Sequence, residues 1–299
     1  MNNKILKNFS LLLFMIILFT QCKQYKKTDF ANVNGTKIYY EISGTGTPIV
    51  FLHGFTCDHR NWNPQVEFFS KNYQVITYDA RGHGKSDVPD TVPYTYDEDL
   101  AALMDYLKID KAVIVGHSMG GAPAFYYTYN NPDRVLALVL AEGGPFINDP
   151  AIIDTVNLPD YFSEFYKAIK IARKEGLEKG KEAWLNIHPM KTAAENPQSS
   201  ELLKQMINDY SGWHWFNRDP HRDETLNSVD YLKQINTPTL IFAGELSHKA
   251  LRDLVILEDS LIKNSQLVIL KNSNHMLNIE NPDQFNKELL QFLKENNIK

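Results

Sequence analysis

Along most of this chain the apolar residues come in short unbroken runs, not in alternation with polar ones. "PIVFL", "VITY", "AVIV", "VLALVLA", "TLIFAG" and "LVIL" each fill a strand length and end at a glycine, an aspartate or a small polar cluster. Strands without period-two alternation are buried on both faces, as in parallel sheets covered by helices. Helical spacing separates them: Leu100, Leu103 and Leu107 share one side of "TYDEDLAALMDYLKI", and helices are predicted up to Asn130, over Leu251–Ile262 and after Pro282. Ahead of these units, "FANVNGTKIYYEIS" reads as two strands joined by the Asn34-Gly35 turn. The pattern predicts an α/β domain with a doubly wound, mostly parallel sheet. It stops at Gly144 and resumes at Thr237. The residues between are helical in pattern, broken at Pro159, Gly176, Gly180, Pro189, Pro197 and Pro220. The core is therefore read as 30–144 plus 237–299, with 145–236 a helical cap inserted between two consecutive core strands. Ligands of open parallel sheets bind beyond the carboxyl ends of the strands, so an insert there covers the site.

The N-terminus departs from this pattern. After Lys4 and Lys7, an apolar run from Phe9 to Phe19 is too short to span a bilayer, which takes about 20 residues, but has the form of a secretory signal. Cys22 follows closely and resembles the lipid-attachment site of bacterial lipoproteins, although Gln21 stands where such signals carry a small residue. The expectation is a signal peptide over 1–21, a tether over 22–29, export, and anchoring to a bacterial membrane through Cys22, facing the periplasm or cell surface. The rest of the composition changes little. A net charge of −5 without long like-charge blocks gives no reason to expect a nucleic-acid partner, and two cysteines do not make a disulfide framework. No His/Cys/Asp group has metal-ligand spacing and no phosphate-binding glycine loop occurs, so no cofactor and no metal are implied.

The chemistry concentrates in "VIVGHSMGGA", Val113 to Ala122, where a buried strand ends in a serine framed by glycines. Gly116 and Gly120 permit a turn too tight for side chains, which leaves Ser118 clear of the sheet with its hydroxyl exposed at the start of a helix. A serine hydroxyl is a weak nucleophile at neutral pH and needs a base. His275, in the loop after "LVILK", should reach the same sheet edge. His53, His83 and His117 sit beside glycine turns, where packing and bracing are the expected roles. Asp79 with Arg81 is expected to fix a turn, and Cys57 to be a small buried thiol.

Taken together, "FLHGF", "DARGHGKSD", "GHSMG" and "NSNHMLNIENPDQF" resemble, in order, the motifs of the α/β-hydrolase superfamily over nearly all of 30–299. The similarity is greatest to its branch of capped esterases, enol-lactonases and carbon–carbon hydrolases. The resemblance implies that Ser118 is the nucleophile, that His275 is the general base, and that the backbone N–H groups of Phe55 and Met119 form the oxyanion hole.

The third member of the triad is missing from its usual place. Where the family pattern reads G-E-x-D, this chain has "GELS", with Ser247 in the acid's position. A hydroxyl does not stabilise an imidazolium as a carboxylate does. Three readings stay open. Glu142, at the exit of the strand "RVLALVLA", is a relocated acid, as in some haloalkane dehalogenases; or Glu245 serves; or there is no acid and the protein is a weak relative. A serine nucleophile makes an acyl-enzyme, so the expected substrate is a small ester or lactone. The alternatives are a cofactor-free haloperoxidase or carbon–carbon hydrolase with the same residues, and a ligand-binding relative that has lost turnover. Trp184, Trp213, Trp215, Tyr161, Phe162, Phe165, Tyr166, Tyr210 and Phe216 in the insert are read either as an apolar substrate pocket or as the packing of a small lid.

Overall fold

The computed structural model describes residues 26–145, 147, 158–222 and 228–299. The segment read as a signal peptide and Cys22 lie outside them. Eight strands form one sheet in the order β1-β2-β4-β3-β5-β6-β7-β8. β1 (Lys26–Val33) and β2 (Thr36–Ser43) make an antiparallel hairpin, and β2 runs antiparallel to β4 (Gln74–Tyr78). From there β3 (Pro48–Leu52), β5 (Ala112–His117), β6 (Val135–Ala141), β7 (Thr239–Gly244) and β8 (Ser265–Leu270) continue parallel. Asn34 and Gly35 both take the left-handed backbone that a two-residue hairpin turn needs. The first strand begins at Lys26, inside the segment read as a tether. β2 is eight residues long, and its far end, Ser43, pairs with Lys26.

The continuous apolar runs have a direct explanation in the layers. Val50, Leu52, Ile114, Leu138, Leu140 and Ile241 face one core, with Leu100, Leu103 and Met104 of α2 (Tyr96–Tyr106), Phe125 of α3 (Gly121–Asn130) and Val255 of α10 (Lys249–Leu261). Their neighbours in sequence, Ile49, Phe51, Val113, Val115, Val139 and Phe242, face the other. There they meet Phe69 of α1 (Asn63–Phe69) and Leu289 and Phe292 of α12 (Pro282–Glu295). Each strand is thus apolar on both sides because helices cover both faces. Helix α1 was not foreseen; it has only seven residues, beginning at Asn63 and Pro64 behind a short 3-10 turn over His59–Trp62. A segment of that length carries too few periods to declare itself.

Between β6 and β7 the described residues are helical: α4 (Leu158–Glu175), α5 (Leu177–Leu185), α6 (His188–Glu195), α7 (Ser200–Asp209), α8 (Trp213–Phe216) and α9 (Ser228–Leu232). Most of them share a core of their own around Ala168, Ala172, Trp184, Leu203, Ile207 and Trp215. That core closes onto Cys57, Met276 and Ile279 from the loops of the sheet domain. The inserted helices therefore sit on the carboxyl edge of the sheet.

Candidate active site

β5 is central in the sheet, and its exit makes a sharp turn at Ser118, whose φ is 50°. A non-glycine residue in that region carries strain of about 1–2 kcal/mol. The flanking glycines are required by contact: a Cβ on Gly116 would lie 2.2 Å from the Gly120 carbonyl oxygen, and one on Gly120 would lie 2.5 Å from that of Leu52. α3 begins at Gly121, directly behind, so the positive end of its dipole lies at the serine.

The turn presents Ser118 to His275. Ser118 Oγ lies 2.8 Å from His275 Nε2, and His275 Nδ1 lies 3.3 Å from Glu142 Oε2. His275 is 2% exposed and Glu142 1%. The imidazole is fixed by its own backbone: the Asn274 side-chain oxygen accepts the His275 N–H, and the His275 carbonyl accepts from His117 Nε2 at 2.8 Å. Burial, and secondarily the neighbouring His275, push His117 down to about 3, so it stays neutral and serves as a strut. The Asn274 amide also donates to the His188 carbonyl at 2.7 Å, tying the histidine loop to α6. In this loop the left-handed residue is Asn272, φ 54°.

Of the carboxylates left open by the sequence, only Glu142 reaches the histidine. Glu245 is exposed and accepts the Asn272 N–H instead. Glu142 adopts φ 51° at the end of β6, and its Oε1 accepts from the Gly244 N–H and from Ser247 Oγ, each at 2.6 Å. Ser247, in the position where the acid is usual, thus orients a carboxylate that comes from the adjacent strand. That role was not legible beforehand, because it depends on two loop ends meeting in space.

Two further buried carboxyls lie near. Glu258 on α10 and Glu280 in α11 (Leu277–Glu280) are both raised to about 8, first by burial, with the charge of Glu142 adding to it. Burial thus holds both toward the neutral form.

Phe55 and Met119 stand on the wall of the same cavity as Ser118, Glu142 and His275. Its volume is about 350 Å³, and Tyr161, Phe162, Phe165, Ile169, Trp184 and Leu254 supply much of its lining. Thr56, beside Phe55, has φ 63°, an outlier for a β-branched residue that fixes the direction of the loop. The aromatic residues of the insert divide in two. Those of α4 and Trp184 face the cavity, whereas Trp215 packs within the insert, Tyr210 stacks on His83 of the sheet domain and Phe216 is 49% exposed.

The remaining candidates are structural. His53 donates from Nδ1 to the Gly54 carbonyl and accepts the Ala80 N–H at Nε2, and His83 Nδ1 donates to the Arg81 carbonyl. Arg81 grips Asp99 through two hydrogen bonds, of 2.6 and 2.8 Å, and joins α2 to the first hairpin instead of pairing with Asp79. Cys57 is buried, and burial raises its thiol. The fold also brings Asp58, His59 and Asp79 within 4.8 Å of one another. Asp79 accepts from the His59 ring and from the His59 and Lys85 amides, and Arg60 covers Asp58. This cluster is closed by its own hydrogen bonds and fixes the turn after β4.

A strained serine at a strand-to-helix turn, a histidine from the last strand loop and a buried carboxylate on one parallel sheet define a hydrolase of the α/β type. The chain belongs to the alpha/beta hydrolase fold family, whose model matches residues 47–282. It is similar to the non-heme chloroperoxidase of Streptomyces lividans, 29% identical over 280 residues that cover 87% of this chain and 97% of that protein. Among solved structures it is similar to the enol-lactonase of Burkholderia xenovorans LB400, with TM-score 0.73 and 26% identity, covering 89% of this chain and 100% of that one. A thermophilic esterase from Thermogutta terrifontis shares the fold with TM-score 0.74 at 24% identity, covering 90% of this chain and 99% of that one. The protein is an enzyme of this superfamily.

Proposed function

We propose that the protein cleaves small carboxylic esters or lactones through an acyl-enzyme on Ser118. The observation that carries the reading is the unbroken chain Ser118 Oγ–His275 Nε2, His275 Nδ1–Glu142 Oε2 opening into one apolar cavity. Ser118 Oγ attacks the carbonyl carbon as His275 Nε2 takes its proton, and Glu142 holds the imidazolium. The negative oxygen of the tetrahedral intermediate is received by the N–H groups of Phe55 and Met119. His275 returns the proton to the departing alkoxide, and water repeats the sequence on the acyl-enzyme. The apolar lining favours a substrate with a hydrocarbon or aromatic portion.

A second reading draws on the chloroperoxidase relative: the same acyl-enzyme taken by hydrogen peroxide in place of water, giving a peracid. Ser247 was the feature favouring a non-catalytic ligand binder, and its bond to Glu142 removes that support. A panel of p-nitrophenyl esters of rising chain length tests the main reading, with turnover abolished in Ser118→Ala; no turnover of any ester or lactone overturns it. Halogenation dependent on peroxide and carboxylate, at a rate above ester hydrolysis, would favour the second reading. We further propose export and lipid attachment at Cys22, which rest on the N-terminal sequence alone. Among the described residues no helix is long and apolar enough to cross a membrane.

A further inference from the structure

A second cavity, of about 330 Å³, abuts the first and shares Phe55, Met119 and Ala122 with it as walls. Its chemistry is different. Where the first is lined mainly by hydrocarbon, the second carries the carboxylates of Asp97 and Asp219 beside Tyr96, His214 and His221, and neither lysine nor arginine lines it. Asp219 is occupied: its oxygens accept from the Tyr94 hydroxyl and the His221 N–H, and His214 Nε2 lies 3.4 Å away. Asp97 is not. It is 8% exposed, its hydrogen-bond partner is the Asn130 amide at the long distance of 3.5 Å, and among the described residues no basic side chain lies within 4.0 Å of it. A buried carboxylate is costly without a cation or strong donors. The rings of Tyr96 and Phe55 stand on the same wall, and aromatic faces attract cations.

We infer that this second cavity is a subsite for an ammonium group, so that the substrate is an ester or lactone with an apolar portion on one side and a basic nitrogen on the other. The inference rests on the hydrolase reading for its placement. The amides of Phe55 and Met119 receive the carbonyl oxygen, and their side chains form the partition between the cavities, so the scissile carbonyl lies at the boundary. The hydrocarbon portion fills the first cavity, and the alkoxide oxygen that His275 protonates lies at the boundary itself. The ammonium end passes Met119, an unbranched side chain that adapts its shape readily, and meets Asp97.

The test uses the full chain and two matched pairs: butyrylcholine with 3,3-dimethylbutyl butyrate, and choline with 3,3-dimethylbutan-1-ol, in each of which a quaternary nitrogen is set against carbon of the same shape. We expect kcat/KM for butyrylcholine to exceed that for the neutral ester by about tenfold or more, the scale of one charge-assisted contact. Asp97→Asn should bring the ratio to about 1, and Asp97→Glu should keep it above 1. In calorimetry on Ser118→Ala, choline should bind more tightly than the alcohol, and Asp97→Asn should remove the difference. Esters turned over with no preference for charge, or a preference that Asp97→Asn leaves intact, would overturn the subsite while the hydrolase reading stands. Binding of choline that depends on Asp97 in a protein that hydrolyses no ester would keep the subsite and sink the hydrolase reading.

Discussion

Replacing Glu142 by glutamine tests the relocated acid with little change of shape. Glu142 Oε1 accepts two hydrogen bonds, from the Gly244 N–H and from Ser247 Oγ, each at 2.6 Å. Glutamine must therefore keep its carbonyl oxygen there and turn its NH₂ group toward His275 Nδ1. An NH₂ group can only donate, so Nδ1 becomes an acceptor and the ring proton moves to Nε2. Nε2 then faces Ser118 as a donor and cannot take its proton. The wrong tautomer at this position costs about 10⁴ in kcat, or roughly 5 kcal/mol at 1.36 kcal/mol per tenfold. The Nδ1–Oε2 contact of 3.3 Å is longer than the roughly 2.8 Å of a strong ionic hydrogen bond, and such contacts tighten once substrate is bound. We expect kcat for a p-nitrophenyl ester to fall by about 10³–10⁴ with little change in KM, while denaturant unfolding stays cooperative. A folded Glu142→Gln enzyme within about tenfold of wild type would refute the assignment.

Three further outcomes follow, two from the structure and one from the N-terminal sequence. Ser247→Ala removes one charge-assisted hydrogen bond to Glu142 and should lower kcat by about tenfold, whereas Ser247→Asp added to Glu142→Gln should recover at least about tenfold over Glu142→Gln alone, because it returns a carboxylate to the same loop end; steady-state kinetics on the three variants decide it. Glu258 is raised to about 8 in the folded state and sits near 4.5 when unfolded, so the folded protein holds the extra proton and stability falls as pH rises from about 4.5 to 8; Glu258→Gln should flatten that decline and unfold at higher denaturant than wild type at pH 8.5, and equal midpoints would count against it. Metabolic labelling with an alkyne fatty acid in a bacterial host should mark the protein and be lost in Cys22→Ser; labelling that survives the substitution places the lipid elsewhere.

Much of the fold was legible because the parallel sheet is buried on both faces. Ile49 through Leu52 and Val135 through Ala141 announce themselves as unbroken apolar runs, and the helices between them by period. Ser118 was legible because Gly116 and Gly120 are required by steric contact at the turn. His275 was legible from its place after the last strand. The proposed acid was not, since choosing among Glu142, Glu245 and none depends on which strand-end carboxylate turns inward. Glu142 does so through a left-handed backbone that its sequence neighbours do not reveal. Asp97 was hidden for a related reason: it sits in the polar first turn of α2, a common place for an acidic residue, and the cavity it lines is completed by residues about 120 positions later, His214 and Asp219 among them.

The central claim is that Ser118 is a nucleophile activated by His275 and Glu142, and active-site phosphonylation tests it most directly. A fluorophosphonate reacts with a hydroxyl that has a base and an oxyanion hole to receive the developing charge. On the purified protein, intact-mass spectrometry should show one adduct, mapped by digestion to the peptide holding Ser118, absent in Ser118→Ala and formed far more slowly in Glu142→Gln. No adduct on the folded wild-type protein, or an adduct on another residue that persists in Ser118→Ala, would contradict the account.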